Sequence, residues 1–175
     1  MTTHKVDFIS DVHVDFWIKE TGPSAKLENQ IAEFIEDILV PKGGDVLLIA
    51  GDLGHYFTQD TTLLKKLKEY YNDICIVYGN HDLYLVSNNL QAKYKYNSFN
   101  RITEMQEFCK ENGIHYLAGG AVDINGLVIG GTGMWYNTPK GSDVDFWKRT
   151  MNDSSLIMTH KPQTFMYGYG ASTTM

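Results

Sequence analysis

"DVLLIAGD", residues 45–52, carries an unbroken apolar run from Val46 to Ala50 and then stops on Gly51 and Asp52. A strand with one wet face alternates apolar and polar side chains. An uninterrupted run is instead the pattern of a strand covered on both faces, as in a parallel sheet. "KVDFIS" (5–10) is a shorter, apolar-rich run that stops at Asp11, and "ICIVYGN" (74–80) is another buried strand that runs into His81 and Asp82. Between them, "AKLENQIAEFIEDILV" (25–40) places Leu27, Ile31, Phe34, Ile35, Ile38 and Leu39 at helical spacing, and Pro41 with "GG" (43–44) ends it. "TTLLKKLKEYYN" (61–72) is a second amphipathic helix. Strand, helix, strand, helix, strand predicts right-handed crossovers and a parallel sheet.

The rhythm changes further on. "LVSNNLQAKYKYNSFN" (85–100) reads as a loop or short helix near the surface, with the Lys and Tyr of "AKYKY" (92–96) on a solvated face. "RITEMQEFCKENG" (101–113) is a third helix capped by Gly113. "IHYLAGGAVDINGLVIGGTGMWY" (114–136) then breaks into short apolar runs, and Asn125-Gly126 is a strong hairpin signal. A second sheet, at least partly antiparallel, is expected there, with "MWY" (134–136) in the core. "DVDFWKR" (143–149) reads as a short helix and "SSLIMTH" (154–160) as a last strand ending in His160. No repeat or long linker divides the chain, so residues 1–175 read as a single domain.

Bulk properties narrow the function. The chain is 43% hydrophobic, enough for one packed core, and its net charge of −6 is opposite to the footprint of a protein that coats nucleic acid. Cys75 and Cys109 lie in apolar patterns and read as buried thiols. Neither a signal peptide nor a membrane-spanning stretch is present, which points to the cytoplasm.

The chemistry gathers at strand ends. "SDVH" (10–13), "AGDLGH" (50–55) and "YGNHD" (78–82) each follow a buried strand, and "MTHKP" (158–162) adds a further histidine. Ligands of open α/β sheets collect at the carboxyl ends of strands, so segments about 30 residues apart should converge. Singly, each motif is an ordinary turn, and His4 and His115 have no motif around them. Together, Asp11, His13, Asp52, Asn80 and His160 form a mixed oxygen and nitrogen set without thiolate, which suits Mn²⁺, Fe or Zn²⁺. Five such groups exceed one tetrahedral ion and match two ions sharing a carboxylate, spaced roughly 3.5–4 Å as in phosphoryl transfer.

In that order, "DVH", "GDLGH", "GNHD" and "THKP" resemble the calcineurin-like metallophosphoesterase superfamily, from Asp11 to His160. The resemblance implies an α/β fold of two mixed β-sheets sandwiched between helices, in four αββα layers. It implies hydrolysis of phosphoester bonds at a dinuclear site with a bridging hydroxide, using two divalent ions, Mn foremost, with Fe, Zn, Mg or Ni as alternatives. Asp11 and His13 would hold the first ion, Asn80 and His160 the second, and Asp52 would bridge them. His81 would face the scissile phosphate as proton donor, with Asp82 orienting it, and His55 matches a histidine of the nuclease branch.

Departures from the family pattern sharpen the expectation. Protein phosphatases of the superfamily read G-D-x-x-D-R-G and G-N-H-E, whereas this chain has "GDLGHYF" and "GNHDLY" without arginine, favouring a phosphodiesterase or nuclease-like enzyme acting on nucleotides or nucleic acid. A small-molecule phosphomonoesterase is the alternative within the class. Family members also continue to a G-H-x-H motif that gives each ion one more imidazole. After His160 the sequence reads "KPQTFMYGYGASTTM", with no histidine. The expectation is a C-terminally truncated chain, or one completed by a partner segment. The contrasting expectation is a degenerate, non-catalytic relative that serves as a binding module.

Overall fold

The computed structural model describes residues 3–133 and 144–160. "MWY" and the residues after His160 lie outside that range. Four strands, β1 (Val6–Ile9), β2 (Gly44–Ala50), β3 (Tyr71–Val77) and β4 (His115–Tyr116), form one parallel sheet in the order β1-β2-β3-β4. Helices fill the connections: α1 (Val14–Trp17) and α2 (Ala25–Phe34) precede β2, α3 (Phe57–Leu67) precedes β3, and α4 (Asn88–Lys93) and α5 (Ser98–Glu111) precede β4. A separate antiparallel hairpin follows, β5 (Gly120–Ile124) and β6 (Leu127–Gly131), turning at Asn125-Gly126. Helices α6 (Val144–Thr150) and α7 (Asp153–Leu156) complete the described chain.

The unbroken apolar run of β2 has a direct cause. Alternate side chains of a strand point to opposite faces. Leu47 and Ile49 of β2 and Ile74 and Ile76 of β3 join Leu27, Ile31, Leu63, Leu67, Met105 and Cys109 from three helices. Val46 and Cys75 point the other way and pack with Leu117, Ile124 and Ile129 beneath the hairpin. Helices cover one face of the parallel sheet and the hairpin covers part of the other, where Val46 and Cys75 are buried and Leu48 and Val77 half-buried. Strand β1 lies at the edge, and its Phe8 is 66% exposed. Both cysteines are buried and free.

Several local expectations are corrected. Tyr71 and Asn72 belong to β3 rather than to the preceding helix, and β4 pairs with β3 in the first sheet rather than joining the second. Residues 85–100 hold α4, which Ser87 caps through Leu90 N–H, and the start of α5. Tyr94 is buried, with its hydroxyl donating to Glu104, while Lys93 and Lys95 are exposed, so "AKYKY" is a solvated face only in part. The strand expected at 154–160 is absent. Its first residues form α7, and Leu156 and Met158 each bond singly elsewhere: Leu85 N–H donates to Leu156 O (2.9 Å) and Ser98 N–H to Met158 O (2.8 Å). With Met158 N–H taken by Ser98 Oγ (2.9 Å), its backbone groups are committed outside any ladder.

The ends of β2 and β3 approach so closely that only glycine fits between them. A Cβ on Gly51 (φ +84°) would lie 2.4 Å from Gly79 N, and one on Gly79 would lie 2.2 Å from Asp52 Oδ1. Gly79→Ala should therefore cost about 3 kcal/mol, the upper end of overpacking. Gly113→Ala, at a left-handed position (φ +62°) with nothing within 4 Å, should cost about 1–2 kcal/mol from backbone strain alone. Urea unfolding of both variants checks this. Equal losses would mean that the two strand ends can separate freely.

Candidate active site at the strand ends

Three loops meet beyond the carboxyl ends of β1, β2 and β3. The first runs along the second: His13 N–H donates to Asp52 O (3.0 Å) and Val14 N–H to Leu53 O (2.8 Å). The second meets the third where Asp52 Oδ1 accepts the His81 N–H (2.9 Å). Asp11, His13 and Asp52 all have left-handed backbones, with φ of +50°, +44° and +56°. Non-glycine residues hold such angles only when their surroundings fix them, and such strain clusters at functional sites. Here the inter-loop hydrogen bonds fix them.

The result is a compact trio. His13, Asp52 and His81 each offer one ligand atom, all within 4.8 Å of one another, and the rings of His13 and His81 meet edge to face at 4.5 Å. His13 Nδ1 is buried and has no hydrogen-bond partner among the described residues. An orphaned buried nitrogen is costly unless something takes its lone pair, and a divalent cation would do so. The donors therefore fit a metal. Asp11 and His160 are exposed and do not join the trio, and His160 Nδ1 lies 3.0 Å from Thr159 Oγ1.

Asn80 is held by groups with no motif of their own. Its amide nitrogen donates to Asp153 Oδ1 (2.9 Å) and Tyr84 Oη (3.1 Å), and the Tyr84 hydroxyl donates to the same Asp153 oxygen. Both amide hydrogens are thereby committed, leaving the oxygen as the atom Asn80 can offer a cation. Burial, followed by the bond to Asp153, pushes the Tyr84 hydroxyl upward in pKa and keeps it a donor.

Asp82 has a different role from the one expected. Its carboxylate accepts N–H groups from Asp52 (2.8 Å), Leu53 (3.1 Å) and Gly79 (2.8 Å), which ties the loops after β2 and β3 together. Those backbone donors, not an imidazole, occupy it. Burial pushes its pKa up, against the pull of Arg101 and of the amides. The partner of His81 is His55, with Nε2 3.1 Å from His81 Nδ1, and His55 Nδ1 lies 2.8 Å from Asp15 Oδ2. Burial lowers the His81 pKa, with Asp52 opposing. At Asp15 burial acts upward, but the hydrogen bond and charge of His55 outweigh it and hold the carboxyl below its ordinary value.

Arg101 braces the site from behind and carries no motif either. It donates to Gly54 O (2.6 Å), His81 O (3.1 Å), Asp82 O and Asp60 Oδ2 (2.9 Å). Burial pushes Asp60 up to about 7, with Arg101 pulling the other way. A signal for Arg101 did exist, since it shares a helical stripe with buried Ile102, Met105 and Cys109, where a charge needs a buried partner. Asp153 gave no such signal.

The family model for calcineurin-like phosphoesterases matches residues 4–175, so the chain belongs to that family, whose members hydrolyse phosphoesters with metal ions. Comparison with curated proteins gave no match. Among solved structures, a phosphopantetheinyl hydrolase (PptH) from Mycobacterium tuberculosis has the same fold, with a TM-score of 0.57 at 19% identity. The likeness covers 91% of this chain and 56% of that one, so the chain spans little more than half the length of this neighbour. No described helix is long and apolar enough to cross a membrane.

Arg101→Met should destabilise the fold by about 3–5 kcal/mol, because it strands Asp60 as an uncompensated buried charge. Arg101→Met combined with Asp60→Leu should recover part of that loss. Chemical unfolding of the single and double variants measures it. No recovery in the double variant would place the value of Arg101 in its carbonyl bonds alone.

Proposed function

We propose that the chain is a metal-dependent phosphoesterase that favours phosphodiesters, among them nucleotides or nucleic acid. The observation that carries this reading is the convergence of His13, Asp52 and His81 beyond the ends of three parallel strands, with His13 Nδ1 buried and unsatisfied. Asp11, His13 and Asp52 would hold one divalent ion, Mn²⁺ foremost, and Asp52, Asn80 and His160 a second. Bound there, the ions would supply an activated water and neutralise phosphoryl charge. Asp52 is suited to a shared position, since its carboxylate sits between the first and third loops. Asn80 enters with its amide already oriented by Asp153 and Tyr84. His81, anchored through its N–H to Asp52 and its ring to His55, would protonate or stabilise the leaving oxygen.

Preference for diesters follows from the sequence departures. The second and third motifs carry His55 and Asp82 where protein phosphatases use an arginine-bearing motif and glutamate, and the buried Arg101 is spent on carbonyls and Asp60. The name of the structural neighbour adds phosphopantetheinyl compounds to the substrates worth testing. A second reading, a metal-poor binding module, draws on one observation: Asp11 and His160 stand outside the trio.

The test combines stoichiometry with turnover. Calorimetric titration with Mn²⁺ should give two ions per chain. Bis-(nitrophenyl) phosphate should be cleaved faster than the monoester or a phosphopeptide. No binding and no turnover would sink the enzyme reading in favour of the binding module. Faster phosphopeptide cleavage would overturn the diester preference alone.

Two variants probe the roles. Asp52→Asn should abolish turnover while leaving urea stability within about 1 kcal/mol of the parent, because the amide oxygen can still accept the His81 N–H. His81→Ala should keep the metal content and lower turnover about 10²–10⁴-fold, less for substrates with good leaving groups. Loss of an ion from His81→Ala would move His81 into the ligand set.

A further inference from the structure

We infer that Asp15 is a positioning residue which, acting through His55, fixes the tautomer and ring orientation of His81. Three side chains from three separate segments, Asp15 from α1 and His55 and His81 from the loops after β2 and β3, form a continuous line. Asp15 Oδ2 lies 2.8 Å from His55 Nδ1, and His55 Nε2 lies 3.1 Å from His81 Nδ1. Asp15 itself is locked, since its other oxygen accepts the backbone N–H of His55 (3.2 Å). Asp15 and His55 are buried, at 8% and 9% exposed, His81 is half-buried, and the imidazoles of His55 and His81 stack at 5.3 Å with a 16° tilt.

For neutral imidazoles, hydrogen-bond logic then settles every proton along the line. An ionised carboxylate only accepts, so His55 must carry its proton on Nδ1. Its Nε2 is left with a lone pair, which can only accept. His81 must therefore place its own proton on Nδ1, facing His55. Nε2 of His81 is left as the nitrogen that exchanges a proton or offers a lone pair. A carboxylate two hydrogen bonds away thus determines which edge of His81 is chemically open, the role an outer partner plays for a ligating or catalytic imidazole. Nothing in the bonding of Asp82, which faces only backbone donors, competes for that task.

Asp15→Asn makes a sharp test because the amide can invert the line. If its oxygen keeps the His55 N–H, its NH₂ group faces His55 Nδ1 as a donor. His55 must then carry its proton on Nε2, and His81 must accept on Nδ1 and become protonated on Nε2. The comparable substitution in the serine-protease triad acts through the wrong tautomer.

The experiment is ¹⁵N NMR of the imidazole nitrogens in the metal-free full chain at about pH 8.5, where ordinary imidazoles are neutral. The parent should show His55 and His81 both protonated on Nδ1. Asp15→Asn should shift both toward Nε2–H, and His55→Gln should release His81 alone with Asp15 intact. A His81 tautomer unchanged in both variants would overturn the inference and leave Asp15 a structural residue. If Asp15→Asn does not fold, His55→Gln decides between the same two outcomes. The consequence for turnover, an expected loss of about 10–100-fold, rests on the proposed role of His81. The tautomer shift does not: it can stand where no phosphoesterase activity is found, and it can fail in an active enzyme.

Discussion

The carboxylate of Asp82 accepts three backbone N–H groups, from Asp52, Leu53 and Gly79, at a point where two adjacent parallel strands have just ended. At the end of a sheet the ladder no longer satisfies these groups, and a buried unpaired N–H costs about as much as a lost hydrogen bond. One side chain settles all three and fixes the spacing of the loops. Gly51 and Gly79 make that spacing attainable, because any Cβ at either would overlap the opposite loop. The placement of Asp52 then follows, and with it the anchor for the His81 N–H.

Around this tie the structure gathers carboxylates that would otherwise repel. Asp15, Asp52, Asp60 and Asp82 are all buried, and burial acts against the ionised forms of Asp15, Asp60 and Asp82. Arg101 answers Asp60 and pulls on Asp82 from the helix side, while His55 answers Asp15. Asp52 stands between the first and third loops, with histidines rather than a permanent cation beside it. A pocket whose last carboxylate awaits a counter-charge suits divalent ions, whose own charge dominates such a site when bound.

Ring packing supplies the remaining rigidity. Phe16 stacks on His13 at 5.1 Å, and Tyr84 packs against His81 at 4.4 Å and stacks with His55 at 5.8 Å. Three imidazoles thus keep fixed orientations through ring contact, and those of His55 and His81 through hydrogen bonding as well. Tyr84 also takes part in holding Asn80, so one residue couples the histidine line to the amide.

The sequence alone determined the parallel sheet, the hairpin at Asn125-Gly126 and the strand ends at which the chemistry collects. These rest on local signals: an apolar run without alternation means two covered faces, and glycine before a polar residue marks a strand's end. The same reading named His13, Asp52 and His81, because motif spacing places them on those ends. Tertiary structure alone decided the partners. Asp15 reaches His55 across 40 positions and Asp82 reaches Asp52 across 30, and no periodicity or propensity encodes which donor a buried carboxylate will meet. Asp82 beside His81 in sequence therefore turned to backbone amides, and Asp15, outside every strand-end motif read from the sequence, took the imidazole. The chain at 156–158 bonded to Leu85 and Ser98 instead of extending a sheet for the same reason. Hydrogen-bond satisfaction is settled among groups brought together only once the layers have packed.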